Sequence, residues 1–104
     1  MANSFGADIL IQALDPTAAA AFYVNQLGFE ITGDEPMISL QGDHINLFIE
    51  RGPALGPVFE VTVADVEEAK ARLVKNGCRI VKDEPNFPRC YVQDPFGLIY
   101  NLTT

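Results

Sequence analysis

Basic residues, histidine and cysteine are scarce in this chain of 104 residues. Seven Lys and Arg stand against fourteen Asp and Glu, a formal charge of −7. Nucleic-acid binding needs a basic footprint, so that class of partner is excluded. The same acidity permits a cationic small molecule, although solubility alone also accounts for it. Two cysteines, Cys78 and Cys90, make neither a disulfide framework nor a metal-finger spacing, and free thiols in a reducing cytoplasm are expected. No apolar run approaches the roughly 18 residues of a membrane span. The opening MANSFGAD has no basic start and no long apolar stretch, so no export signal is read there. A glycine-rich phosphate cradle is also missing, since RGPALGP (residues 51–57) matches neither nucleotide fingerprint. A soluble cytoplasmic protein is the expectation.

What is present is a globular composition, 48% apolar, with room for one domain and one modest core. Residues 8–14, DILIQAL, alternate as a strand does. Asp15 then caps a helix with Pro16 at its first position, where the missing N–H costs nothing. Ala19, Phe22, Tyr23 and Leu27 are its expected apolar stripe, and Gly28 its stop. Strands near 29–33, 36–41 and 44–50 follow. Residues 51–57 read as a linker, after which the plan repeats. A strand spans 58–63. Asp65 caps a second helix, with Glu68 completing an Asp version of the capping box. Val66, Ala69, Leu73 and Val74 form its expected stripe, and Gly77 ends it. Strands near 78–82, 88–93 and 98–103 finish the chain. The pattern is βαβββ twice: module one over about 7–50, module two over about 58–104.

Alternation sorts the strands that open and close each half into two faces. One carries Ile9, Ile11, Ala13, Ile45, Leu47, Ile49, Phe59, Val61, Val63, Leu98, Tyr100 and Leu102, and must take the helices. The other mixes Asp8, Leu10, Gln12, His44, Asn46, Phe48, Glu50, Val58, Glu60, Ile99 and Asn101. Arg89 and Tyr91 point the same way, while Cys90 faces the dry side with Val92. Plain solvated sheet explains the polar members of this face. Leu10, Phe48, Val58 and Ile99 are odd choices for open water, and a surface half polar and half apolar is what small-ligand sites look like.

Two segments resemble a known family. AFYVNQLGFE (Ala21–Glu30) resembles the FY…LGF signature at the end of the first helix in the glyoxalase/bleomycin-resistance/extradiol-dioxygenase group, the vicinal oxygen chelate superfamily. DPFGLIYNL (Asp94–Leu102) resembles its DP-x-G-x-x-x-E-L ending. The resemblance covers nearly the whole chain. It implies an α+β fold of two βαβββ modules making a curved, cup-shaped sheet with helices on the outer face, and a homodimer. In the metal-dependent members of this family, histidines or a glutamine on the opening strands and glutamates on the closing strands hold a divalent ion. Carried over, those positions fall on Asp8, Asn46, Val58 and Asn101.

That set offers one anionic ligand in four, whereas zinc, nickel or iron want His, Cys or several carboxylates. The expectation is therefore no metal and no cofactor. The protein is read as a bleomycin-resistance-like one that binds and sequesters a cationic or amphipathic small molecule. Asp8, His44, Asn46, Phe48, Glu60, Arg89, Tyr91 and Asn101 are its candidate contacts, and no residue is assigned a catalytic role. The alternative is a metal-dependent lyase, isomerase or dioxygenase with a shifted site using His44, Glu60 or Glu50.

Overall fold

The computed structural model describes residues 3–84 and 89–104. Its elements run β1 (Ser4–Ala13), α1 (Pro16–Leu27), β2 (Glu30–Gly33), β3 (Ile38–Gln41), β4 (Asn46–Arg51), β5 (Val58–Thr62), α2 (Val66–Lys75), β6 (Arg79–Glu84), β7 (Arg89–Gln93) and β8 (Ile99–Thr103). This is the expected α+β plan, βαβββ twice. Residue 88, read as the start of a strand, lies outside the described residues. No helix among the described residues is long and apolar enough to cross a membrane.

The chain forms two compact units, Ala7–Pro57 and Val58–Thr104, the second joined by the chain's opening residues up to Gly6. In the first unit the strand order is β2-β3-β4-β1, with β2, β3 and β4 antiparallel and β1 parallel to β4. The second repeats it as β6-β7-β8-β5, with β5 parallel to β8. A helical crossover followed by an antiparallel meander brings the last strand back beside the first, running the same way.

Local chemistry fixes the helices. Asp15 Oδ1 accepts from the Ala18 N–H at 3.1 Å, Pro16 opens α1, and Gly28 closes it at φ 78°. Asp65 Oδ1 accepts from the Glu68 N–H at 3.1 Å to open α2. Past α2, Gly77 sits at φ 104°, where a Cβ would stand 2.9 Å from Pro95 Cγ, so both its backbone and its space demand glycine.

Each unit has its own core beneath its own helix. Ala20, Leu40, Leu47 and Ile49 form the first, with Ala19, Tyr23 and Val24 packed on it. The helix stripe thus differs from the expected one: Phe22 and Leu27 are 57% and 62% exposed. The reason is angular for Phe22 and terminal for Leu27. Positions 19, 20, 23 and 24 share one helix face and Phe22 falls to its side, whereas Leu27 is in line with that face but is the last residue of the helix. Val61, Val63, Ala69, Cys90, Val92 and Leu102 form the second core, with Val66 and Leu73 of α2 against it and Val74 turned outward. Most strand residues assigned to the helix side pack there, but Ile45 and Leu98 are 40% and 39% exposed just outside β4 and β8, and Phe59 belongs to neither core.

Candidate functional site

With the odd positions of β1 under α1, residues 8, 10 and 12 point to the opposite, helix-free face of the first sheet. The register of β1 with β4 sets Asp8 beside Asn46, Leu10 beside Phe48 and Gln12 beside Glu50. All six side chains are half-buried. Asn46 Nδ2 donates to Asp8 Oδ1 at 3.0 Å, so carboxylate and amide hold one another.

Gln12 was not among the candidate contacts. Its Oε1 accepts from two linker amides, Leu55 N–H at 2.9 Å and Gly56 N–H at 3.3 Å. Those two donors require an oxygen, so the amide has one orientation and its Nε2 faces the other way. There Nε2 is buried and has no hydrogen-bond partner among the described residues. A buried donor without an acceptor costs ~1–3 kcal/mol. Alternation alone placed Gln12 on the right face; the return of the linker onto its side chain had no sequence signal.

In the second unit one row of register partners crosses the sheet: Glu60 on β5, Asn101 on β8, Tyr91 on β7 and Lys82 on β6. Glu60 and Asn101 are half-buried, and Tyr91 is 3% exposed. Arg89 lies over Tyr91, its guanidinium carbon 5.4 Å from the ring centroid, and its Nη1 stands 3.6 Å from Glu84 Oε1. Val58 and Ile99, neighbours in the next row, are also buried, yet neither belongs to the core beneath α2. The helix-free face is thus less wet than alternation suggested.

The amide at 101 has a specific partner. The β7–β8 ladder begins at Tyr91 opposite Asn101. Cys90 precedes it, and Asn101 Oδ1 accepts the Cys90 N–H at 3.0 Å. By register, Glu60 stands to Asn101 as Asp8 stands to Asn46, so Glu60 rather than Val58 is the counterpart of Asp8. His44 is not on a strand. It is exposed in the turn that the Gly42 N–H closes on the Ile45 carbonyl at 2.9 Å, two residues before β4.

The donors present fit a transition metal poorly. At the corresponding positions each half contributes one carboxylate and one amide, Asp8 with Asn46 and Glu60 with Asn101. Asn46 is turned to give a hydrogen bond, and the Asn101 oxygen already serves a backbone N–H. Among the described residues no three His, Cys, Asp or Glu side chains gather as a metal-holding group. The Cys90 thiol and the Tyr100 phenol lie on the helix side. Burial, and then the Asp83 carboxylate, push the Cys90 thiol up. Burial, then Cys78 and Asp94, hold the Tyr100 phenol well above its usual range. Cys90 and Tyr100 are suited to packing, not to nucleophilic attack.

The sequence matches the model of the Glyoxalase/Bleomycin resistance protein/Dioxygenase superfamily over residues 7–101. Among curated proteins none matches it. Similar solved structures include a glyoxalase/bleomycin resistance protein/dioxygenase superfamily member from Vibrio splendidus, with TM-score 0.65 and 18% identity over 95% of this chain and 97% of that one. A hypothetical protein from Bacillus halodurans gives TM-score 0.66 and 16% identity over 98% and 94%. A variant of homoprotocatechuate 2,3-dioxygenase from B. fuscum gives TM-score 0.61 and 28% identity over 97% of this chain but 32% of that one, so this chain spans about a third of the dioxygenase. With the duplicated βαβββ plan and a family match over nearly its whole length, the chain belongs to the Glyoxalase/Bleomycin resistance protein/Dioxygenase superfamily.

Proposed function

We propose that this protein binds and sequesters a small amphipathic molecule on the helix-free face of its sheet, without a metal. The observation that carries the reading is the buried Gln12 Nε2, turned from the linker amides and with no acceptor among the described residues. A ligand carbonyl or hydroxyl that reaches this enclosed atom, with the side chains beside it moved apart, removes the penalty of an unmade buried hydrogen bond. Leu10 and Phe48, side by side, offer apolar area for a ring or short chain. Asp8 and the acidity of the whole chain favour a positive group on the same molecule. Cytoplasmic residence, in keeping with two free cysteines, and a homodimer, drawn from the resemblance to the family, complete the reading.

A second reading has one observation in its favour. The register gives each half a carboxylate at corresponding places, Asp8 and Glu60, so a lyase, isomerase or dioxygenase using a divalent ion has two anionic ligands to start from. Melting temperature separates the two, because any tight ligand must stabilise the fold. The sequestration reading expects a rise with benzamides that carry a tertiary ammonium group and no rise with Mn, Fe, Ni or Zn ions. A rise with one of these ions, together with stoichiometric metal in the purified protein, overturns it in favour of the enzyme.

A further inference from the structure

The helix side of the second unit carries a feature that the sheet-face reading leaves unused. Between α2, β5, β8 and the first described residues of the chain lies a cavity of about 180 Å3. Val61, Val63, Leu73 and Leu102 give it apolar walls. Phe5 closes one side, its ring edge-to-face with Tyr100 at 6.4 Å and 88°, and is 61% exposed.

Two charged side chains also line the cavity, and they are in different states. Asp94 is fully engaged: Oδ1 accepts the Phe96 and Leu98 N–H groups at 2.9 and 3.0 Å, and Oδ2 accepts the Tyr100 hydroxyl at 3.3 Å. Arg72 is engaged only through Nε, which donates to Glu68 Oε2 at 3.1 Å. Its two Nη groups have no partner among the described residues, which leaves one free planar donor edge beside an apolar hollow. Cavities of roughly 150 Å3 with apolar walls take up a benzene ring.

We propose that this cavity is a second ligand site, for a small aromatic carboxylate. The ring lies against Leu73, Leu102 and the Phe5–Tyr100 pair, and the carboxylate meets the Nη edge of Arg72. The net charge of −7 opposes an anion at long range, so the preference for a carboxylate rests on this local contact. The site is independent of the helix-free face and of the reading given to it.

The test is a titration of the full chain with sodium benzoate, and separately with benzyl alcohol as its neutral counterpart, followed by methyl NMR signals. Benzoate is expected to shift the methyls of Val61, Val63, Leu73 and Leu102 saturably and to bind at least about tenfold more tightly than benzyl alcohol. Arg72→Gln is expected to abolish that preference and leave benzyl alcohol binding unchanged. Static methyl signals in the wild-type protein at high benzoate overturn the site, as do shifts centred on the Leu10 methyls instead. A benzoate preference that survives Arg72→Gln overturns the assigned ligand class.

Discussion

A carboxylate placed at residue 101 is the sharpest test of why this chain has an amide there. Asn101→Asp keeps the side-chain shape and an oxygen for the Cys90 N–H, which the wild type holds at 3.0 Å. What it adds is a negative charge beside Glu60, the register partner on the parallel strand β5. Adjacent strands lie about 4.8 Å apart. Two unit charges at about 5 Å repel by ~3 kcal/mol at an effective dielectric of about 20. Both side chains are half-buried, so salt and solvent reduce this, and the stronger hydrogen bond from a charged acceptor to Cys90 offsets part of the rest. The expected net loss at neutral pH is about 1–2 kcal/mol by urea denaturation. Repulsion raises the folded-state pKa of the new carboxyl. The loss is therefore present above the unfolded carboxyl pKa of about 4 and fades as pH falls through the raised folded value. In a Glu60→Gln background the same substitution is expected to be neutral or slightly stabilising. A loss of equal size in both backgrounds, independent of pH, refutes the pairing of Glu60 with Asn101.

Other expectations follow from the same geometry. Val92 is fully buried in the second core, and Val92→Ala removes two carbon groups and leaves a cavity, for a loss of about 2–3 kcal/mol in urea unfolding; a loss below about 1 kcal/mol contradicts that packing. The Tyr100 phenol is held protonated in the fold, so above about pH 10 the unfolded chain gives up a proton that the folded chain keeps, and stability falls as pH rises. Tyr100→Phe should flatten that part of the curve, and an unchanged slope speaks against it. Cys90 is buried with its thiol pKa raised, so it should alkylate far more slowly in the native protein than in denaturant; mass spectrometry showing native labelling at the denatured rate rules this out.

The sequence carried the fold through its punctuation. Asp15 with Pro16, Asp65 with Glu68, and the glycines at 28 and 77 mark the helix ends because each satisfies or permits a specific backbone need. Alternation then sorted the sheet faces. It was less informative wherever three-dimensional pairing decides. Register, not parity, makes Glu60 the counterpart of Asp8. The turn after Gly42 extends through Ile45, which takes His44 off the strand. β1 begins at Ser4 rather than near residue 8, and its early residue Phe5 meets Tyr100, a contact separated by most of the chain. Helix stripes differ from expectation at Phe22 and Val74, where apolar character suggests burial that the helix angle does not give, and at Leu27, which is on the right face but at the helix end. Gln12 was visible only as one member of a mixed face; its unpaired nitrogen depends on where the linker returns.

The central claim is a small organic ligand anchored at Gln12. The most direct measurement is an NMR titration of the full chain with a benzamide carrying a tertiary ammonium group, following the side-chain NH2 signals of Gln12. The account predicts that both move saturably, together with the backbone amides of Leu10 and Phe48, and that Gln12→Leu weakens binding about tenfold or more. Binding that leaves the Gln12 side-chain signals in place, or that Gln12→Leu does not weaken, contradicts it.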